Sequence, residues 1–256
     1  MGKWTNIFAV VAFAAPGLAG AARAAEITIL ANQGALSAVR DLAPAFEKAS
    51  GHKVVVSFDQ GPAMAQKIES GAPADVVSSL LEQFDDLVKR GKVVPGSWVE
   101  YARAGNGVAV KAGAPKPDIS TAAAFRQAML DAKSIGHSSN GTGPFNTALF
   151  KRLGIYDQVR DKIKIIEGRP VAVAVAAGDV ELGIQQTNVI QPVAGTDYVG
   201  PLPPELMEYG RFGVGVLAVS KQPEAARAFI AFMTSPEAAP LIRKSAMDIP
   251  AKPAPR

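Results

Sequence analysis

Short polar turns that follow predicted strands carry the residues of this chain that could do chemistry. The candidate ligand-binding residues are Asn32, Gln33, Gly34, Gln60, Gly61, Asn140, Gly141, Thr142, Gly143, Gly168, Arg169 and Gln186. Glycine lets the backbone of such a turn approach a guest closely. Most of these turns also open a predicted helix, whose first N–H groups and positive dipole end favour an anion. The pattern therefore predicts a binding site for a small anion.

Two of these candidates have alternative interpretations that the sequence leaves open. Arg169 lies at a strand-to-helix turn, where a guanidinium could hold a carboxylate or an oxyanion with two hydrogen bonds. It could equally form a surface ion pair with Glu167 or Asp179. Gln186 belongs to an uncharged run rich in hydrogen-bond donors, which could contact a ligand or could simply form a loop.

The residues that catalysis or metal binding would need are sparse. The chain has two histidines and no cysteine, which excludes thiolate and iron–sulfur sites. His52 lies in a short connector, and His137 stands beside Ser138 and Ser139 without the G-x-S-x-G turn of a nucleophile elbow. No phosphate-binding loop or metal-ligand spacing is visible. We therefore predict a protein that is not an enzyme and has no cofactor and no metal site.

The elements that position these turns alternate between strand and helix. Residues 54–80 illustrate the pattern: a β-branched run ends at Gly61-Pro62, a helix follows, and a second strand starts near Pro73. A strand at 27–31 and a helix at 35–50, ended by Gly51, precede this unit, although Pro44 should kink or restart that helix. Further helices are predicted at 80–89, 120–131, 145–153, 171–177, 223–233 and from 235 onward, with strands at 107–110, 162–166, 182–184 and 214–219. Such alternation is typical of an α/β fold in which ligands bind at the carboxyl ends of parallel strands.

The first 24 residues have the features of a secretory signal. Lys3 is followed by an apolar run, and Ala22-Arg23-Ala24 fits a small-x-small cleavage site. Cleavage removes Lys3 and Arg23, so the formal net charge of +4 overstates the basic character of the mature protein. The remaining basic residues are scattered, which argues against nucleic acid as a partner. Without a cysteine to carry a lipid, we expect a freely diffusing periplasmic protein, and we expect it to be monomeric.

Several segments together resemble one protein family. QKIESGAPADVVSS (66–79) resembles a signature of periplasmic solute-binding proteins of the molybdate-binding type, which serve ABC importers. Similar segments follow in the family's order: ITILANQGALSAVRDLAPAFEKASGHKVVVSF, NTALFKRLGIYDQV, GDVELGI and SPEAAPLI. The resemblance implies a type II periplasmic binding fold, in which two lobes close on a ligand. It divides the chain into a signal peptide (1–24), lobe I (25–106 plus 199–256) and lobe II (107–198). The implied partner is an ABC permease in the inner membrane.

The resemblance also implies which residues would meet the ligand. Molybdate-binding relatives hold the oxyanion with two serines, a tyrosine and backbone amides. The serines align with Gly34 and Gly61 and the tyrosine with Gln186, while the amide-donating turns align near Thr142-Gly143 and with Gly168. Because the hydroxyl donors are missing and longer side chains approach the same place, we expect a larger anion, such as a di- or tricarboxylate or a phosphorylated small acid. Molybdate or tungstate uptake, and ligand sensing for a signalling system, are the alternatives.

Overall fold

A computed structural model describes residues 24–59, 61–139 and 141–250. Almost all of the predicted signal peptide, the C-terminal tail 251–256 and two predicted ligand-binding residues, Gln60 and Asn140, lie outside these ranges. Among the residues described, no helix combines the length and apolar character needed to cross a membrane.

Strands and helices alternate along most of the chain, as the sequence predicts. The strands are β1 (Glu26–Ala31), β2 (Lys53–Phe58), β3 (Val76–Leu80), β4 (Val99–Lys111), β5 (Ile135–Ser138), β6 (Ile163–Ile166), β7 (Leu182–Gln186), β8 (Thr196–Pro201) and β9 (Tyr209–Val216). The helices are α1 (Gln33–Ser50), α2 (Gly61–Ser70), α3 (Phe84–Lys89), α4 (Ala122–Asp131), α5 (Thr142–Arg152), α6 (Tyr156–Val159), α7 (Val171–Ala177), α8 (Thr187–Ile190), α9 (Pro223–Met233) and α10 (Ala239–Lys244).

The strands form a mixed sheet in the order β2-β1-β3-β9-β4-β7-β5-β6, and β8 also pairs with β4. Pairing is parallel on both sides, where β1 lies between β2 and β3 and β5 lies between β6 and β7. It is antiparallel wherever β4 or β9 takes part. The α/β fold class is confirmed, and the antiparallel strands lie in the middle of the sheet, where the chain passes between its two halves.

Strand β4 joins the two halves. Its first part, to Gly105, pairs with β9, and its second part, from Asn106, pairs with β7 and β8. Each half has its own core: α1 and α9 pack on β1, β3 and β9, whereas α4 and α5 pack on β4, β5 and β7. Two lobes with a cleft between them result. The change of partners in β4 lies next to the predicted lobe limit at residue 106, although the exact lobe boundaries stay a prediction.

Helix α1 follows β1 directly and begins at the cleft. Asn32 caps it, because its side-chain Oδ1 accepts the N–H of Ala35 at 2.9 Å. Gly51 ends it in the left-handed conformation, with φ of 75°. Pro44 lies inside the helix, and the prediction that it would restart the helix is wrong: α1 runs without a break, and it is held to the sheet by a buried face that includes Phe46.

Two other expectations are corrected by the structure, and one strand has no counterpart among the predicted elements. The last helix begins at Ala239, because Ser235 and Pro236 form turns through their carbonyl oxygens. Strand β4 begins at Val99, well before the strand predicted from residue 107, because β9 supplies it with a partner. Strand β8 (Thr196–Pro201) has no signal of its own in a proline-rich stretch and exists because it pairs with β4.

Candidate functional site

A cleft of about 490 Å³ lies between the carboxyl ends of β1 and β3 in lobe I and those of β5 and β7 in lobe II. Its size is typical of a pocket for a small molecule. Of the residues predicted from sequence, those that line it are Asn32, Gln33, Gly34, Gly61, Gly141, Thr142 and Gln186. The structure therefore brings together turns from both lobes.

Three predicted residues do not line the cleft. Gly143 lies in the first turn of α5, where a Cβ atom would come within 1.7 Å of the Ser138 carbonyl oxygen, so glycine there allows α5 to pack on β5. Gly168 and Arg169 also lie outside the lining. Arg169 instead pairs with Asp179 at 2.6 Å on the exposed surface, which is the ion-pair alternative that the sequence left open.

Within the part of the chain that the structure describes, three helices of ten or more residues begin at the cleft. They are α1, starting at Gln33, α2, starting at Gly61, and α5, starting at Thr142. The first N–H groups of a helix have no acceptor within the helix, and the helix dipole makes this end positive. The cleft therefore offers an anion partial positive charge from both lobes.

A chain of hydrogen bonds links the lobe I side of the cleft. The Asn32 Nδ2 donates to Ser79 Oγ at 3.0 Å, and the Ser79 hydroxyl donates to Gln83 Oε1 at 2.7 Å. All three side chains line the cleft. Sequence reasoning missed Ser79 and Gln83, although Ser79 stands at the carboxyl end of β3, the position that singled out Gly34 after β1.

The two consecutive serines of β3 face opposite sides of the strand. Ser79 faces the cleft, whereas Ser78 points into the core, where its Oγ lies 3.1 Å from the Tyr101 hydroxyl. Burial raises the pKa of Tyr101 well above its usual range, so this hydroxyl stays neutral. The Ser78–Tyr101 pair is therefore part of the core and does not belong to the site.

Gln185 supplies the matching side chain in lobe II. It is 5% exposed, lines the cleft and accepts the N–H of Val171 at 2.8 Å through Oε1. That bond occupies the start of α7, next to the turn where the sequence predicted Gly168 to donate. Gln185 was missed because the neighbouring Gln186 was chosen from the same polar run.

Gly34 and Gln186 meet at the back of the cleft. A Cβ atom on Gly34 would lie 2.6 Å from the Phe212 ring and 2.9 Å from Gln186 Oε1. A Cβ atom on Gly210 would lie 2.4 Å from Gln186 Nε2. The two glycines thus leave the space that the Gln186 side chain fills. Restoring a serine at position 34 would require that space.

Charged side chains lie on the α3 side of the cleft. Arg90 is bonded to Asp86 at 3.0 Å and also pairs with Glu69. Glu82 lines the cleft as well. Because Arg90 is already held by two carboxylates, the helix starts and the neutral side chains are the groups left to attract an anion.

The two histidines lie outside the cleft lining. His137 is 3% exposed and its Nδ1 bonds the carbonyl oxygen of Ser138 at 2.9 Å. His52 accepts the N–H of Ala25 at 3.0 Å, beside β1 and β2. Within the described ranges, no group of three or more His, Asp or Glu residues could hold a metal ion.

Comparisons with known proteins match this architecture. The profile of the family of bacterial extracellular solute-binding proteins matches residues 27–247. An aconitate isomerase from Pseudomonas sp. is 33% identical over 234 residues, covering 89% of each chain. A molybdate-binding protein from Azotobacter vinelandii is 30% identical over 243 residues, covering 91% of this chain and 94% of its own. A solved structure of a periplasmic molybdate-binding protein from the same organism superposes with a TM-score of 0.72 at 23% identity, covering 88% of this chain and 99% of its own.

The fold is that of a type II periplasmic binding protein. The chain belongs to the family of bacterial extracellular solute-binding proteins, the solute-binding components of ABC-type import. The resemblance to molybdate-binding proteins inferred from the sequence is confirmed.

Proposed function

We propose that this protein is the periplasmic binding component of an ABC importer and that it carries a small organic polycarboxylate in the cleft between its lobes. An inner-membrane permease would be its transient partner. The family profile supports the transport role. A relative named for its action on aconitate, a tricarboxylate, supports the class of ligand.

The observation that carries this proposal is the lining of the cleft. A volume of about 490 Å³ has room for a six-carbon acid. The neutral polar groups that line this space are helix starts, amides and hydroxyls, which suit carboxylate oxygens, and apolar side chains such as Met64, Ile68 and Phe212 lie beside them. Phe212 and Gln186 occupy the place where a serine at position 34 would put its Cβ atom.

Binding of molybdate or tungstate is the alternative within the same class of protein. It is supported by the relatives that carry molybdate in their names. It requires the oxyanion to be held without the aligned hydroxyl donors, and each missing donor costs about 1 to 3 kcal/mol.

A second candidate function is isomerisation of a bound unsaturated acid, because one relative is named aconitate isomerase. Moving a proton on carbon needs a base that reaches the ligand. Glu82 lines the cleft, whereas His137 does not. Incubation of the protein with cis- or trans-aconitate, followed by proton NMR, tests this candidate: conversion abolished by Glu82→Gln would establish it, and absence of conversion would leave binding as the function.

A thermal-shift screen tests the binding proposal. Citrate, trans-aconitate, malate and phosphoglycerate form one panel, and molybdate, tungstate, sulfate and phosphate form the other. A ligand at about 100 times its dissociation constant adds about 2.7 kcal/mol to the stability of the ligand-free protein. That raises Tm by about 5 to 10 °C for a chain of this size. A shift with carboxylates supports the proposal, and a shift with molybdate and tungstate alone overturns it.

A further inference from the structure

We infer that Gln83 and Gln185 are ligand-binding residues whose side-chain amides are locked with Nε2 facing the cleft, so that they select fully deprotonated carboxylates. This inference rests on the proposed function, because it names the groups that meet the bound anion. Neither residue is among the ligand-binding residues predicted from the sequence, although Gln185 precedes Gln186 in the same polar run, and neither is suggested by the alignment with molybdate-binding relatives. Hydrogen-bond direction singles them out.

In lobe I, the orientation of the side-chain amides is set first by a backbone N–H group, which can only donate a hydrogen bond. The N–H of Ala35 donates to Asn32 Oδ1, so the other branch of that amide, Nδ2, must donate. It donates to Ser79 Oγ at 3.0 Å. The orientation of the Asn32 amide is therefore set by the start of α1.

The Ser79 hydroxyl in turn sets the orientation of the Gln83 side-chain amide. It is 1% exposed, so its single hydroxyl proton needs an acceptor within the protein. Asn32 already supplies a donor to Ser79, and Gln83 Oε1 lies 2.7 Å away as the acceptor. A flipped Gln83 amide would bring a donor in place of that acceptor. Gln83 therefore turns Oε1 to Ser79, and its Nε2 amino group is left on the branch that points away from the strand.

Lobe II reaches the same result by an independent contact. The N–H of Val171 donates to Gln185 Oε1 at 2.8 Å in a buried environment. Since a backbone N–H cannot accept, the Gln185 amide has one permitted orientation. Its Nε2 again lies on the opposite branch. The two lobes thus each fix one carboxamide along the wall of the same cleft.

The consequence is a cleft that recognises acceptors at these two points. A deprotonated carboxylate can accept through both oxygens and accepts strongly because it is charged, whereas a protonated carboxyl keeps only its C=O oxygen as a weaker, neutral acceptor. The two amides are neutral and do not titrate, so their preference for acceptors is the same at every pH; the charged groups that line the same cleft are Glu82, Asp86 and Arg90.

Replacing Gln83 by glutamate tests this assignment with little change of shape. Gln83→Glu keeps an oxygen for Ser79 and turns the donor into an acceptor, whereas Gln83→Met removes both. Gln158→Glu is the matched control, because Gln158 is exposed on α6 and this substitution adds the same charge away from the cleft. Titration calorimetry with citrate, trans-aconitate and molybdate gives the dissociation constants.

We expect affinity for the tightest of these anions to fall by about 100-fold or more in Gln83→Glu and by about 10-fold in Gln83→Met, since donors to charged groups are the stronger ones. Gln158→Glu should stay within about twofold of the wild type, as surface charges far from a site are screened. Wild-type affinity should also fall from about pH 8 to about pH 5 as carboxyl groups of the ligand are protonated.

A second measurement needs no substitution. In NMR spectra of ¹⁵N-labelled protein, the chemical shifts of the Nε2 amide protons of Gln83 and Gln185 should change on addition of the same anion, whereas those of Gln158 should not. If the wild type binds citrate or trans-aconitate and Gln83→Glu binds it equally well, or if neither amide signal changes on addition of that ligand, the inference is overturned while the proposed function stands. If the wild type binds neither citrate nor trans-aconitate, whether or not it binds molybdate, both are overturned.

Discussion

Substitution of Gly34 by serine gives an outcome opposite to the one that alignment suggests. Molybdate-binding relatives have serine at the aligned position, so Gly34→Ser formally restores one ligand hydroxyl. In an ordinary helix, replacing glycine also stabilises, by up to about 1 kcal/mol. Here the new Cβ atom would lie 2.6 Å from the Phe212 ring and 2.9 Å from Gln186 Oε1. We therefore expect a less stable protein without molybdate binding.

The expected loss of stability in Gly34→Ser depends on whether Phe212 can move away from the new Cβ atom. Phe212 is fully buried in the lobe I core, so its ring cannot swing into solvent. Overpacking of a well-packed core costs about 1 to 3 kcal/mol. For a domain of this size each kcal/mol corresponds to a change in Tm of about 2 to 4 °C. Gly34→Ser should therefore lower Tm by several degrees.

Thermal unfolding and molybdate titration together check this prediction. Gly200→Ser is the control, because a Cβ atom there would make only an ordinary contact of 3.7 Å with Ile119. Adding Phe212→Leu to Gly34→Ser should recover part of the lost stability if the ring is the obstacle. A Gly34→Ser protein that melts like the wild type and gains affinity for molybdate would refute the reasoning.

Three further predictions concern stability. Asp75 accepts from Thr28 N–H through Oδ2 and from the Ser220 hydroxyl and two backbone N–H groups through Oδ1, so Asp75→Ala should cost about 3 kcal/mol or more in urea unfolding; an effect below 1 kcal/mol would contradict it. Ala246 has φ of 56°, so Ala246→Gly should raise the urea midpoint, corresponding to about 0.5 to 1 kcal/mol, whereas Ala231→Gly within α9 should lower it. Burial raises the pKa of Tyr198 to about 12. In the unfolded chain the tyrosine pKa is about 10, so the contribution of Tyr198 to the free energy of unfolding is complete below pH 10 and is lost as pH rises through 12. Tyr198→Phe should therefore lose less stability over that alkaline range.

The sequence predicts the parts of the fold that depend on local chemistry. The start of α2 at Gly61-Pro62 and the end of α1 at Gly51 follow from residues with strong backbone preferences. The position of β8 and the early start of β4 depend on strands that are distant in sequence, so local patterns give little sign of them. Pro44 is tolerated because packing of α1 on the sheet outweighs the lost hydrogen bond.

The candidate site is predictable to a similar degree. Helix starts at strand ends can be found from glycine and proline, and Gly34, Gly61 and Thr142 indeed line one cleft. Gln83 and Gln185 could not be found in this way, because what distinguishes them is the direction of a hydrogen bond made in the folded protein. Similarity to a family motif also does not separate ligand contacts from structural ones.

Asp75, within the segment that most resembles the family, illustrates that difference. Its carboxylate ties β1 to the loop at residues 220–222, and it does not line the cleft. A shared acidic residue in a signature could be taken for a ligand contact. Its four hydrogen bonds assign it to holding β1 and that loop together.

The measurement that tests the central claim most directly is titration calorimetry of the ligand-free protein with citrate and trans-aconitate, followed by molybdate as competitor. We predict binding of at least one polycarboxylate with one site per chain, and no displacement by molybdate at equal concentration. Tight binding of molybdate that excludes the polycarboxylates would contradict the claim that this cleft, with its hydroxyl donors replaced by glycine and fixed amides, is built for an organic acid.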